Sequence, residues 1–192
     1  DNTYDGTEYA ATGFVTLTFT VDNNTYTVEG LTTSDPKSTD VTTKPNEISG
    51  TEIVRDAAGN DVTSQFIVTK TDGELEIKKR EVTLTSATDS KEYDGTELTN
   101  HEVTVSGDGF VEGEGATYTV TGAQLTVGSS SNTFTYDLNE GTKADNYEIK
   151  TVAGTLTVRN RTDKYEIEVV ANSNTDNTYD GTEYAATGFV TL

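Results

Sequence analysis

His101, the only histidine, is followed by Glu102 and is the one side chain whose ordinary titration range would suit proton transfer near neutrality. No serine or carboxylate motif frames it as a member of a nucleophilic triad, so the sequence supports a surface residue there. Glu112 and Glu114, in the turn Glu112-Gly113-Glu114-Gly115, are the paired carboxylates that glycoside hydrolysis requires. That reaction also needs a deep cleft around them, and the chain has no tryptophan to platform a sugar. Asp56, Asn60 and Asp61 form one cluster of hard oxygen ligands for calcium, and Asp137, Glu140 and Asp145 form another, but neither has the spacing of an EF-hand loop. An amide bond between lysine and asparagine, promoted by a buried acid, is a further candidate chemistry; lysine is scarce and no expected core position holds one. The expectation is a protein with no catalytic residues, no cofactor and no metal site, hence not an enzyme.

The elements that would position these groups follow from composition. Hydrophobic residues make up 32% of the chain, below the usual ~45–50% for soluble domains, so the cores must be thin. Threonine supplies roughly one residue in five, and its β-branched side chain suits a pleated, half-exposed sheet better than a helix. A formal charge of −20 argues against nucleic acid and anionic lipid as partners, since both are bound through clustered Lys and Arg. It serves instead as a solvated, self-repelling surface. With no cysteine, disulfides, thiolate metal sites and thiol nucleophiles are all excluded. No apolar run approaches the ~18 residues of a membrane span, so no membrane insertion of this segment is expected.

The chain repeats itself at two scales. Residues 1–17 recur letter for letter at residues 176–192, a period of 176 − 1 = 175 residues, which points to a parent built from near-identical units. Within that period, Tyr4-Asp5-Gly6-Thr7-Glu8 returns as Tyr93-Asp94-Gly95-Thr96-Glu97, and residues 66–77 return in altered form as residues 147–158. Two diverged modules result. Module A spans 1–79, module B spans 80–161, and residues 162–192 begin the next copy of A. By this reading module A lacks its opening strand, whose counterpart is Lys164-Tyr165-Glu166-Ile167-Glu168-Val169-Val170.

Period-two alternation predicts a strand over 13–21, with Val15, Leu17, Phe19 and Val21 facing the core, and a hairpin through Asp22-Asn23-Asn24 into 25–28. In module B it predicts strands at 81–86, 102–106, 116–121, 124–127, 133–138, 147–151 and 155–159. The fold class expected is all-β, with two tandem small antiparallel modules of immunoglobulin-like sandwich type and a mostly-β grasp-like module as the alternative. Residues 31–45 read as an extra loop, either a solvated connection or a tip that contacts a partner. The recurring Tyr-Asp-Gly reads as a fold determinant, with glycine at positive φ and the tyrosine ring packed beneath the turn.

Lys91-Glu92-Tyr93-Asp94-Gly95-Thr96, then Gly128, Asn132-Thr133-Phe134, Asn146-Tyr147-Glu148-Ile149 and Gly154-Thr155-Leu156-Thr157-Val158, resemble in order the MBG repeats of large bacterial surface proteins. Module A carries a related ending, with Phe66 where that pattern has tyrosine. The resemblance implies a non-catalytic extracellular repeat, from a cell-wall-attached or secreted protein of a Gram-positive bacterium, acting as stalk or spacer in an adhesin. The alternative is a module that itself binds host glycan or protein through exposed aromatics, for which Tyr9, Tyr26, Phe110 and Tyr118 are the candidates. The remaining partners expected are neighbouring repeats of the same protein and, through residues 164–170, head-to-tail strand exchange between chains.

Overall fold

The computed structural model describes residues 2–190. In module A the strands are β1 (Tyr9–Ala10), β2 (Thr18–Val21), β3 (Asn24–Thr33), β4 (Lys37–Ser38), β5 (Thr42–Asn46), β6 (Ile48–Arg55) and β7 (Gly73–Ile77). Module B contributes β8 (Arg80–Ser86), β9 (Asp89–Glu92), β10 (Val103–Gly107), β11 (Ala116–Val120), β12 (Gly128–Asn132), β13 (Phe134–Leu138), β14 (Tyr147–Val152) and β15 (Gly154–Arg159). The fold is all-β. Its helical residues, among those described, are two 3-10 turns at Thr63–Gln65 and Ala144–Asn146, and none of the helices is long and apolar enough to cross a membrane.

Strands pair only within their own module. Module A holds the sheets β2-β3-β6, β5-β7 and β1-β4, while module B holds β10-β8-β14, β12-β15-β9 and β11-β13. None closes into a barrel, consistent with the expected sandwich. Two pairings depart from the purely antiparallel expectation: β14 runs parallel to β8 and β15 runs parallel to β9. The reason is topological. The first two strands of module B lie alongside its last two, β8 beside β14 and β9 beside β15, each pair travelling in the same direction.

Alternation decides what is buried. Val82 and Leu84 of β8 and Leu156 and Val158 of β15 point inward while the residues between them stay at or near the surface. Leu75 and Ile77 do the same in β7. The two modules repeat one another in register: β5 lies against β7 with Asn46 opposite Gly73, as β12 lies against β15 with Asn132 opposite Gly154.

Three expectations need correction. Residues 124–127 form no strand beyond a single bridge from Gln124 to Leu98, and the adjacent Gly128–Asn132 takes that role although its sequence reads as a turn. Serine hydroxyls make this workable, since Ser129 bonds Thr157 across the pair and Ser130 donates to the Ala123 carbonyl. Residues 31–45 are not a free loop, because they contain the end of β3, all of β4 and most of β5. The strand over 13–21 shrinks to Thr18–Val21, and the face meant for the core is open: Val15 is fully exposed and Phe19 and Val21 are each 45% exposed. The hairpin itself forms, with Asp22 and Asn23 both at positive φ.

Candidate functional site

The recurring Asp-Gly-Thr turn is built the same way three times. Asp5, Asp94 and Asp180 each accept both the backbone N–H and the hydroxyl of the threonine two residues on, at 2.5–2.9 Å. Gly6, Gly95 and Gly181 follow them at φ of 82°, 80° and 84°, a region open to glycine at little steric cost. Lys91 adds a third partner to Asp94, and its ammonium holds that carboxyl well below the usual range. Of the three tyrosines that precede these turns, Tyr93 and Tyr179 are exposed and Tyr4 is buried.

That tyrosine does not pack beneath its own turn. Tyr4 crosses out of module A into module B, where its ring meets Tyr147 edge-on at 5.5 Å and its hydroxyl donates to Glu114 at 2.5 Å. Tyr147 donates to the other oxygen of the same carboxylate at 2.6 Å, and its ring also meets Phe110 at 5.1 Å. Glu114 thus bridges two phenols from different modules. Burial of the ring, reinforced by the Glu114 carboxylate, pushes the Tyr4 hydroxyl up to about 12, and the same two causes raise Tyr147 as well. Around this pair Leu75 and Ile77 from module A join Val82 and Leu84 from module B in one continuous apolar cluster. Arg80 fastens the rim by donating to the carbonyls of Gly109, Asp108 and Tyr4.

A second contact crosses the same boundary. The tip of the 31–45 segment places Asp40 so that it accepts from the buried Asn146 amide at 2.9 Å and from Lys143 at 2.6 Å. The Asn146 oxygen in turn accepts the Val41 N–H at 2.9 Å. Both donors hold Asp40 below its ordinary pKa, the Asn146 bond first. Lysine, acid and asparagine meet here, but the Lys143 side chain is 63% exposed, so the group is a solvent-facing ion pair beside a buried amide. The segment thus packs against module B of its own chain.

The other candidates do not converge. His101 lies exposed ahead of β10, and Glu112 is exposed while Glu114 is spent on the two tyrosines. Asp56 is satisfied by its own loop, accepting from Ala58, Asn60 and the Asn60 amide, and Asp61 accepts twice from Thr63. Among the described residues no three His, Cys, Asp or Glu side chains group as metal ligands, so Asp137, Glu140 and Asp145 stay apart. Of the candidate aromatics, Tyr9 donates to Asp5, Tyr26 stacks edge-on with Phe66 at 4.8 Å, and Phe110 and Tyr118 pack on the junction cluster. They form no common platform. Sequence reasoning missed the role of Tyr4 because its partners lie 110 and 143 positions away.

Exposed apolar side chains occur in both modules and in residues 165–190, and on module A they border a groove. Residues 14–17 and 66–72 belong to no strand, and between them runs a groove of about 330 Å³ floored by Phe14, Leu17, Val28, Leu31 and Val68. It continues past Phe19 and Val28 into a second hollow of about 230 Å³ reaching Val54 and Phe66. No family model, curated protein or solved structure matches the chain.

Proposed function

We propose that this chain is a non-catalytic structural repeat, a stiff spacer in an extracellular stalk that carries a distal adhesive domain away from a bacterial cell surface. The observation that supports the reading is the junction: Tyr4, Glu114 and Tyr147, together with Asp40, Asn146 and Lys143, tie two modules at two separate points over a shared core. A spacer needs resistance to bending between units more than it needs a cleft. Two contacts on different elements supply that resistance, whereas one would act as a hinge. The order of motifs shared with MBG repeats, and a surface charge of −20 that keeps a crowded array apart, fit the same reading.

Solution scattering on residues 1–161 tests it. A stiff pair gives a narrow distribution of end-to-end distances, and Tyr4→Ala combined with Asp40→Ala broadens it while each module keeps its strand signal. An equally broad distribution for the unaltered pair would remove the basis for a spacer. The alternative, a module that binds host glycan or protein, predicts retention on mucin, glycan or matrix surfaces in the same preparation.

A further inference from the structure

The junction has an outreaching half on module A and a receiving half on module B. The outreaching half is built again at the end of module B. Tyr93 N–H donates to the Arg159 carbonyl as Tyr4 N–H donates to that of Lys78, both at 2.9 Å. Arg161 then donates to the Tyr93 carbonyl at 3.3 Å, as Arg80 donates to that of Tyr4 at 3.4 Å. Arg159 and Arg161 stand 81 positions after Lys78 and Arg80, the same offset that carries residues 66–77 onto 147–158.

The receiving half is not built again. In module B residues 108–115 join β10 to β11 and supply Glu114 to Tyr4 and the carbonyls of Asp108 and Gly109 to Arg80. Module A repeats β11, with Thr25-Tyr26-Thr27-Val28 for Thr117-Tyr118-Thr119-Val120, but reaches it from β2 through Asp22 and Asn23 alone. The loop that holds Arg80 therefore has no counterpart. Asp22, which this alignment sets against Glu114, forms the turn itself, exposed and one methylene shorter. Phe66 stands in the place of Tyr147 and has no hydroxyl to share. The second tie is missing from both sides. Asn46 and Asn132 correspond, which puts Thr126 where module A has Asp40, while Gln65 and Val62 stand where module B has Asn146 and Lys143. A threonine facing a valine makes no ion pair.

We propose that a module B followed by a module A meets it at a joint that bends, so that stiff A–B pairs alternate with hinges along a repeating chain. The outreaching groups of module B are already spent close to home. The Arg161 guanidinium donates to the Asp163 carbonyl at 2.7 Å and lies 4.1 Å from the centre of the Tyr165 ring, where Arg80 grips a loop of the next module. Further on, Val170 and Ala171 pair with Val190 and Phe189 of the same chain, which takes up the end of the segment expected to exchange between chains. Two modules without specific ties across their boundary move relative to one another by default. Bending is thereby concentrated at every second boundary.

A joint has a use only in a spacer, so the inference rests on that reading, and one experiment separates the two. The intact chain extended by residues 18–161 continues the period without a new join, since residues 176–192 already repeat residues 1–17. The chain has no cysteine, so Thr43→Cys with Thr135→Cys, both at exposed strand positions, sets a spin-label pair across the A–B boundary. Thr135→Cys with the same change at Thr43 of the appended segment sets a pair across the B–A boundary. The distance distribution across B–A is expected to be about twofold broader or more than that across A–B. Tyr93→Ala is expected to leave the B–A width unchanged, whereas Tyr4→Ala with Asp40→Ala in the first module widens A–B to match it. A B–A distribution as narrow as A–B, or one that broadens with Tyr93→Ala, would overturn the joint and leave the spacer standing. A broad A–B distribution in the unaltered chain would remove both.

Discussion

Tyr4→Phe isolates the bond that crosses the junction. The substitution keeps the ring against Tyr147 and deletes only the hydroxyl that donates to Glu114 at 2.5 Å. A hydrogen bond to a charged acceptor contributes about 1.5–3 kcal/mol, and since Glu114 keeps its bond from Tyr147 the loss belongs near 1.5 kcal/mol. Tyr4→Ala also empties a site in the shared core, where truncating a large aromatic costs about 3–5 kcal/mol. The assay is urea unfolding of the intact chain for Tyr4→Phe, Glu114→Gln and the double variant. If the two groups act on each other, the double variant is less destabilised than the sum of the singles by about 1 kcal/mol. Tyr4→Ala should go further and split one cooperative transition into two, as the modules lose their common core. Additivity within about 0.3 kcal/mol, or a single unsplit transition for Tyr4→Ala, would refute the claim that Tyr4 couples the modules.

Alkali should loosen the junction. The Tyr4 pKa is raised from 10 to about 12 by burial and by Glu114, so its contribution is fully present below pH 10 and is lost as pH rises through about 12. With the hydroxyl bond only part-buried, that is worth about 1–2 kcal/mol after screening, and Tyr4→Phe should flatten the alkaline limb of a stability profile. Gly154→Ala should cost more than about 3 kcal/mol in denaturant unfolding, since its Cβ would meet the Ala87 carbonyl oxygen at 2.2 Å. Gly95 and Gly113 both sit at positive φ with open space around them, so alanine at either should cost only about 1 kcal/mol, and Gly95→Val should cost more than Gly113→Ala. Chelators and added calcium should leave the melting temperature unchanged, because the Asp56 and Asp61 carboxylates already accept bonds from their own loops; a rise of several degrees with calcium would contradict this.

Much of the strand order was legible because alternation of aliphatic or aromatic residues with threonine or charged residues marks β8, β11, β13, β14 and β15 directly. Gly128–Asn132 was not, since a Gly-Ser run carries no apolar period and becomes a strand only through pairing with β15. Residues 14–17 show the opposite error: their alternation reads as a strand, yet a strand also needs a paired neighbour, and among the described residues the pairing with β3 ends at the bond from Val28 to the Leu17 carbonyl. The Asp-Gly-Thr turns were readable because their chemistry is local. The destination of Tyr4 and the contact at Asp40 were not, because both depend on partners more than a hundred positions away.

The parallel pairing of the first two strands of module B with its last two also decides how the module carries load. β9 and β15 lie side by side in register from Leu156 opposite Asp89 to Arg159 opposite Glu92. Tension applied through the two ends of the module pulls these strands along their own length in opposite directions. The bonds between them are then sheared together and must fail at once, rather than being unzipped one after another. β8 and β14 repeat the geometry over six residue pairs from Arg80 to Thr85. Forced unfolding is governed by the rate of crossing that barrier and not by equilibrium stability, so a module with a thin core can still be strong when pulled from its ends.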